Sequence, residues 1–302
     1  MSAPAASRTI DLPFPIDLPR TFFGVRRGTH DPTCRFREDG IWRATRSPAG
    51  PATIHLVPDG DQVHAEAWGE GAEAVVDLAP SLIGCLDDAG DFAPDHPVVA
   101  RLWRDLGAIR VPRTAAVTEA LINVVMEQRV TTFEARRAQQ QLVERWSDPA
   151  PGPTDLRLPI DPEVLAGIAY YDLHVIGVER KRADTLRRVA ATARRLDALV
   201  ALPVAEAHQR LTTVVGVGPW SAAETALVAL GDADAVPVGD AHLPTSVTWA
   251  LTGEAIDDDE AMLEALAPFT GQRGRVLRLI MAANLAPPRT SPRYAPRDIR
   301  DQ

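Results

Sequence analysis

The chain has 302 residues, of which 45% are hydrophobic and 24% charged. These values are typical of globular proteins and exclude a disordered or fibrous chain. Its two cysteines, Cys34 and Cys85, are too few for a disulfide framework, a four-cysteine iron–sulfur cluster or a four-cysteine zinc site. No apolar run is long enough for a membrane span, and no signal peptide is recognisable at the N-terminus. We therefore expect a cytoplasmic protein that makes no membrane contact.

The net charge of −9 is unevenly distributed along the chain. Residues 51–95 contain ten acidic side chains and no lysine or arginine, whereas residues 179–195 contain seven basic and two acidic side chains. Residues 270–302 have the same seven-to-two excess of basic side chains. Because the field at a surface depends on local charge density, the acidic total does not exclude a basic face that binds nucleic acid.

The first part of the chain has the pattern of a small β-rich domain, which we assign to residues 1–95. Residues 53–57 and 63–68 flank the sequence PDGDQ, and the second segment alternates apolar and polar side chains. This period of two around a Pro-Asp-Gly turn predicts a β-hairpin. Residues 84–97 have the composition of an exit loop.

From residue 97 the apolar periodicity becomes helical, and we assign residues 96–288 to an all-α domain. One helix is predicted over 114–126, and Thr131 with Glu134 forms a capping-box sequence that starts a second helix ending near Trp146. Further helices are predicted at 163–168, 179–197, 203–213, 219–230, 241–252, 259–267 and 273–285. Residues 289–302 form a Pro/Arg-rich tail. The predicted fold class is α+β.

The most informative segment covers residues 211–247. Gly216 and Gly218 lie between two predicted helices, and Pro219 suits the first turn of the second helix. Such a helix–hairpin–helix can bind a nucleic-acid backbone through glycine and helix-start amides, although a plain helix–helix turn has the same local sequence. A Gly/Pro-rich loop then leads to Asp240 before another helix, where an isolated aspartate is most often an N-cap.

This combination resembles the helix–hairpin–helix (HhH-GPD) superfamily of DNA glycosylases and, within it, the AlkA-type 3-methyladenine DNA glycosylases. The resemblance implies a β-rich domain followed by the helical glycosylase domain. It also implies a base-excision repair enzyme that flips a damaged, alkylated base out of duplex DNA and removes it by hydrolysis. Asp240 falls on the family's catalytic aspartate. A fixed carboxylate there would stabilise the positive charge that develops on the sugar and orient the attacking water.

Trp220 occupies the position at which bifunctional members of the superfamily carry the lysine that attacks the sugar. The single lysine of the chain, Lys181, lies outside the motif. The resemblance therefore implies a monofunctional enzyme without strand-nicking (AP lyase) activity. Trp220 would lie near the flipped base, or it would be a packing residue over the hairpin.

The resemblance also assigns the contacts with DNA. Backbone binding maps to the amides of Gly216, Gly218, Ser221 and Ala222. The carbonyl oxygens of three residues would hold a structural Na⁺ or K⁺, namely Thr212, Val214 and Val217. The chemistry itself requires no cofactor, and the partner is double-stranded DNA with a damaged base.

Two more groups of residues follow from the resemblance. Gln128 and Arg129 interrupt a helical pattern where the family inserts a wedge into the duplex, and Arg129 departs from the usual apolar or amide residue. Glu224 and Gln272 stand where the AlkA type often has pocket aromatics, so the usual preference for alkylated purines is in doubt. Glu224 would hydrogen-bond or attract a base, or it would face solvent on the helix surface.

The remaining aromatic and histidine residues leave alternatives open. Tyr170, Tyr171 and His174 would line the groove or belong to the core, and His242 would lie near the site without forming a metal site. A non-catalytic or altered-specificity lesion-binding protein on the same fold is the alternative function. We expect a monomer that associates with the nucleoid.

Overall fold

The computed structural model describes residues 3–90 and 92–288. The predicted tail 289–302 and Asp91 of the acidic block lie outside the described residues. Within the described part, a five-stranded antiparallel sheet is followed by a long series of helices. This arrangement confirms the α+β fold class, with the β-rich part first.

The sheet contains β1 (Ala6–Asp11), β2 (Cys34–Arg37), β3 (Gly40–Ser47), β4 (Gly50–Asp59) and β5 (Gln62–Trp68), in the order β1-β5-β4-β3-β2. The predicted hairpin is β4–β5, but its loop is shorter than the sequence suggested. Asp59 pairs with Gln62, so Pro58 and Asp59 belong to the strand and the turn has two residues. Gly60 adopts φ +60°, which a tight hairpin turn requires.

The two helices before residue 97 were not predicted from the sequence. A short helix α1 (Leu18–Thr21) continues into a 3₁₀ turn at Phe22–Gly24, and α2 (Ala72–Leu82) covers one face of the sheet. Helix α2 contains Pro80, a residue that normally argues against a helix interior. Its apolar residues nevertheless pack against β1, β4 and β5, and this burial outweighs the local signal.

The helical region contains α3 (Pro97–Leu106), α4 (Val117–Glu127), α5 (Thr132–Trp146), α6 (Pro162–Gly167), α7 (Tyr170–Val175), α8 (Arg180–Ala191), α9 (Ala193–Asp197), α10 (Val204–Thr212), α11 (Pro219–Thr225), α12 (Leu243–Thr252), α13 (Asp259–Leu266) and α14 (Arg273–Ala282). A 3₁₀ turn follows α9 at Ala198–Ala201, a π-helical segment follows α11 at Ala226–Leu230, and a 3₁₀ turn follows α13 at Ala267–Phe269. The boundary predicted at residues 95 and 96 falls between α2 and α3.

Several helix boundaries differ from prediction for local reasons. Helix α4 starts three residues late because Ala115 adopts φ +55°. The helix predicted over 179–197 divides at Thr192, whose hydroxyl donates to the carbonyls of Arg188 and Val189. The predicted capping box at Thr131 and Glu134 is present in full.

The helices of this region pack around two hydrophobic cores. Helices α4–α11 surround one core, while α3 packs with α12–α14 around the other. The loop between Leu230 and Leu243 crosses from the first core to the second, and Asp240 lies on this loop. In the described part of the chain, no helix is long and apolar enough to cross a membrane.

A buried ion pair ties the end of the β-rich part to the last helix. The Arg275 guanidinium donates to both carboxylate oxygens of Asp87 at 2.6 and 2.7 Å, and the Val111 amide donates to the same carboxylate at 2.9 Å. Asp87 belongs to the acidic block 51–95, so one member of that block is a buried structural residue.

Candidate active site and nucleic-acid interface

The Asp240 carboxylate is fixed by donors on both of its oxygens. Oδ1 accepts the amides of His242 at 2.8 Å and Leu243 at 2.9 Å, at the start of α12. Oδ2 accepts the indole Nε1–H of Trp220 at 2.9 Å. Charge-assisted bonds of this kind contribute about 1.5–3 kcal/mol each. Asp240 is therefore both a helix cap and a carboxylate held in one orientation beside Trp220.

The loop that carries Asp240 is held by contacts that the sequence analysis missed. Gly239 adopts φ +91°, and its amide donates to the Asp259 side chain at the start of α13. Earlier in the loop, the Asp234 carboxylate forms an ion pair with Arg273 and accepts the amides of Gly271 and Arg273. The Asp259 carboxylate of α13 thus holds the backbone of the loop, and the Asp234 carboxylate of the loop holds the backbone at the start of α14. The position of Asp240 is therefore set by α13 and α14.

Glu224 lies one helical turn after Trp220 and is partly buried. Burial raises the pKa of its carboxyl to about 7, with further upward contributions from the neighbouring Glu127 and Asp240. Arg27 and Arg278 are close enough to lower that pKa in part. Within the described residues, no hydrogen bond or ion pair occupies the Glu224 carboxyl. Glu224 is therefore not a fully exposed surface residue, and its predicted place in a base pocket stays a prediction.

Gln272 is engaged elsewhere. Its side-chain oxygen accepts the Arg275 Nε–H at 2.7 Å, so it supports the guanidinium that pairs with Asp87. Among the described residues, no hydrogen bond joins Gln272 to Asp240, Trp220 or Glu224. Its predicted place in a base pocket stays a prediction.

The hairpin packs closely against α8 at Gly216 and is open at Gly218. Gly216 adopts φ +99°, and a Cβ at this position would lie 2.2 Å from the Thr185 hydroxyl. Gly218 is the N-cap of α11, in an extended conformation with φ −97°. Pro219 has no N–H, so Trp220 and Ser221 supply the remaining first-turn amides.

The structure corrects one predicted backbone donor. The Ala222 amide donates to the Gly218 carbonyl at 3.0 Å, as the first bond within the helix. This amide is therefore used inside α11 and is not a free donor for phosphate. The predicted roles of Gly216, Gly218 and Ser221 stay predictions.

The predicted wedge residues Gln128 and Arg129 have different environments. The Gln128 Nε2 donates to the Gly216 carbonyl at 3.0 Å and to the Ser221 hydroxyl at 2.9 Å. Arg129 is exposed and adopts φ +55°, a conformation that costs a non-glycine residue about 1–2 kcal/mol. Gln128 is thus turned toward the hairpin, and Arg129 is the side chain of this turn that is open to solvent.

The predicted cation ligands Thr212, Val214 and Val217 lie at and after the end of α10. The helix ends at Thr212, and the chain then turns so that the Val217 amide donates to the Val214 carbonyl at 2.9 Å. Alkali cations are bound by rings of carbonyl oxygens, and the predicted cation site at Thr212, Val214 and Val217 stays a prediction. Among the described residues, no His, Cys, Asp or Glu cluster could hold a metal ion.

The remaining aromatic and basic residues have defined positions. Tyr170 hydrogen-bonds His174 within α7 at 3.2 Å, and the Arg180 guanidinium lies over the Tyr170 ring. Tyr171 is 69% exposed and Lys181 is exposed on α8. Helix α7 lies between two predicted helices where no helix was predicted, since six residues are too few to show helical periodicity.

The chain is similar to known proteins in sequence and in structure. No family model matches the chain. The chain is 28% identical over 259 residues to a protein named "probable bifunctional transcriptional activator/DNA repair enzyme AlkA" in two strains of Mycobacterium tuberculosis. The match covers 80% of this chain and 51% of the relative, so the chain spans about half the length of the curated relatives it matches.

Solved structures extend the likeness to nearly the whole chain. A 3-methyladenine DNA glycosylase from Archaeoglobus fulgidus superposes with a TM-score of 0.78 at 18% identity, covering 92% of this chain and 98% of that one. The chain has a DNA glycosylase fold. An 8-oxoguanine glycosylase/lyase from Clostridium acetobutylicum, in complex with double-stranded DNA, superposes with a TM-score of 0.68 at 14% identity and covers 94% and 97%. The resemblance predicted from the sequence is confirmed at the level of this glycosylase fold and of AlkA-like sequence.

Proposed function

We propose that this protein is a monofunctional DNA glycosylase that hydrolyses the N-glycosidic bond of a damaged base in duplex DNA, with Asp240 as its catalytic residue. The observation that carries the proposal is the Asp240 carboxylate, held by Trp220 and by α12 on a loop that follows the hairpin helix. The proposal includes a monomer that acts near the nucleoid. A Na⁺ or K⁺ at the hairpin would be held by the carbonyls of Thr212, Val214 and Val217.

Binding would begin at the hairpin. The amides around Gly216 and Gly218, with those of Trp220 and Ser221, face a phosphate, and these contacts are independent of base sequence. Exposed basic side chains add charge on the neighbouring helix α8, namely Arg180, Lys181 and Arg188. Neutralising phosphates with such groups makes the affinity fall as salt concentration rises.

The reaction follows from the position of Asp240. The bond between C1′ of the sugar and the base nitrogen breaks, and its electron pair leaves with the base. The Asp240 carboxylate stabilises the positive charge that develops on the sugar. A water molecule then forms the new bond to C1′, and the proton it releases passes to the carboxylate or to the departing base. The products are a free base and an abasic site with an unbroken strand.

The absence of a lysine at position 220 supports the monofunctional reaction. A lyase forms a Schiff base between an amine and the sugar, and Trp220 offers no such amine. Its indole N–H instead orients the Asp240 carboxylate. Lys181 is the single lysine of the chain, so a Schiff base on a lysine would depend on it.

Alkylated bases suit the carboxyl groups near Asp240. Glu224 brings a carboxyl with a pKa of about 7, which is partly ionised at neutral pH, close to Asp240 and Glu127. Alkylation at a purine ring nitrogen gives the base a positive charge, which carboxylates attract. Bases that are already cationic also leave the sugar without further protonation. We infer that such bases are the substrate class.

The proposal is tested with duplexes that each carry one defined lesion: 7-methylguanine, a 3-methyladenine analogue, ethenoadenine, hypoxanthine or uracil. Released base is measured without alkali, and abasic sites are counted separately from strand breaks. We expect free base and abasic sites without breaks, and no covalent adduct after borohydride treatment. Lesion binding without release from any duplex would support the non-catalytic alternative. A borohydride adduct that disappears in Lys181→Ala would refute the monofunctional reaction.

A further inference from the structure

The turn between α4 and α5 is held from three directions. Before the turn, the buried Arg182 of α8 donates from Nη1 to the Met126 carbonyl at 2.9 Å. The next residue, Glu127, pairs with Arg27 of the β-rich part at 3.0 Å. These contacts join three distant parts of the chain at the last turn of α4.

The third contact comes from Gln128 itself. Its side-chain amide donates to the Gly216 carbonyl and to the Ser221 hydroxyl, so it joins both sides of the hairpin. After the turn, the capping box of Thr131 and Glu134 fixes the start of α5. Arg129 is the exposed residue between these fixed points, and it keeps a left-handed conformation with φ +55°.

A side chain held at a carbonyl and a hydroxyl of the hairpin cannot enter a duplex without giving up those bonds. No side-chain hydrogen bond to another described residue holds Arg129, and its long side chain with a planar guanidinium can stack in the gap that a flipped base leaves. The hydrogen bonds of Gln128 also fix the position of this turn relative to the hairpin. Insertion of the turn into the duplex would therefore be coupled to binding of the DNA backbone by the hairpin.

We propose that Gln128 is a positioning residue that ties the intercalating turn to the phosphate-binding hairpin, and that Arg129 is the intercalating side chain. This inference rests on the proposed function, because it assigns a role in base flipping. It goes beyond that function by separating the two residues of the turn. It predicts that loss of the Gln128 amide impairs unstacking of the base far more than it impairs binding to undamaged DNA.

The test compares Gln128→Leu and Arg129→Ala with Gln140→Leu as the matched control. Gln140 also donates from its amide, to Glu144 on the exposed face of α5, so its loss removes a similar bond away from the turn. The DNA probe carries 2-aminopurine beside a tetrahydrofuran abasic analogue, and its fluorescence reports unstacking. Anisotropy with an undamaged duplex reports binding.

We expect wild type and Gln140→Leu to unstack the probe equally. Gln128→Leu should lower the unstacking equilibrium about tenfold, as loss of two hydrogen bonds implies, and change undamaged-duplex affinity by about twofold or less. Arg129→Ala should abolish unstacking. If Gln128→Leu unstacks the probe like wild type, the positioning role is refuted. If wild type binds neither duplex, the proposed function fails and this role in flipping fails with it.

A measurement without DNA tests directly whether Gln128 holds the turn between α4 and α5. Trypsin cleavage after Arg129 requires the turn to open locally, and the fraction of open molecules sets the rate. Mass spectrometry should show cleavage at this peptide bond about tenfold faster in Gln128→Leu than in wild type or Gln140→Leu. Equal rates in all three proteins would show that Gln128 does not hold the turn, whatever the behaviour on DNA.

Discussion

Gly218 allows a charge to be placed at the hairpin without disturbing the fold. Its conformation, φ −97° and ψ −175°, is open to any residue, and a Cβ added there meets no described atom within 4 Å. Gly218 is the N-cap of α11, a position at which Asp and Asn are both favoured. Gly218→Asp and Gly218→Asn therefore form a matched pair that differs by one negative charge.

The effect of that charge can be estimated from electrostatics. A carboxylate about 5 Å from a phosphate, at an effective dielectric constant between 20 and 80, is repelled by about 1–3 kcal/mol. This corresponds to roughly 5- to 150-fold weaker binding. Gly218→Asn adds no charge, so we expect its affinity to stay within about threefold of wild type. The loss in Gly218→Asp should be the same for damaged and undamaged duplexes, because the contact is with the backbone.

The assay is fluorescence anisotropy with labelled duplexes over a series of salt concentrations, together with thermal melts of each variant. Melting temperatures of the two variants should agree, since both residues cap the helix. The affinity difference between them should shrink as salt screens the repulsion. Equal affinities of Gly218→Asp and Gly218→Asn at low salt would show that the hairpin does not face a phosphate.

Two further predictions concern stability. In urea titrations, Gly216→Ala should lower the free energy of unfolding by about 2–4 kcal/mol, because φ +99° disfavours alanine and its Cβ meets the Thr185 hydroxyl at 2.2 Å. Adding Thr185→Ala should restore part of the lost stability. An unchanged urea midpoint in Gly216→Ala alone would contradict this geometry. Burial raises the pKa of Glu224 from 4.5 to about 7, so the folded state holds a proton that the unfolded chain releases, and stability should fall as pH rises between these values. Glu224→Gln should flatten this dependence and raise stability at pH 8 by about 3 kcal/mol relative to wild type, and an unaltered pH profile would show that Glu224 is not the group that titrates.

Local sequence signals predicted the features that depend on neighbouring residues. The capping box at Thr131, the hairpin glycines and the helix-capping position of Asp240 are each encoded within a few residues. The double role of Asp240, as cap and as oriented carboxylate, required the structure. Its bond to Trp220 joins residues 20 positions apart through two side chains.

The contacts that organise the site depend on tertiary structure. Arg27 and Glu127 are separated by 100 positions, and Gln128 reaches a hairpin 88 positions away. No periodicity or spacing in the sequence encodes such pairs. The same holds for α2, where burial against the sheet overrides the local effect of Pro80.

The sequence analysis was least informative where a residue departs from the resemblance. Glu224 left a choice between a pocket residue and a surface residue, because a helix position alone does not show which elements pack around it. The structure places it among charged groups from α4, α14 and two loops. Gln272 shows the opposite case, since its side chain supports Arg275 and the buried pair with Asp87.

The most direct measurement of the central proposal is excision by Asp240→Asn. Asparagine can still cap α12, but it carries no negative charge and its amide N–H would face the Trp220 indole N–H. With whichever lesion wild type releases, we expect base release to fall at least about 100-fold while affinity for the lesion duplex changes by about threefold or less. Release at the wild-type rate, or loss of binding together with excision, would show that Asp240 is a structural cap and not the catalytic carboxylate.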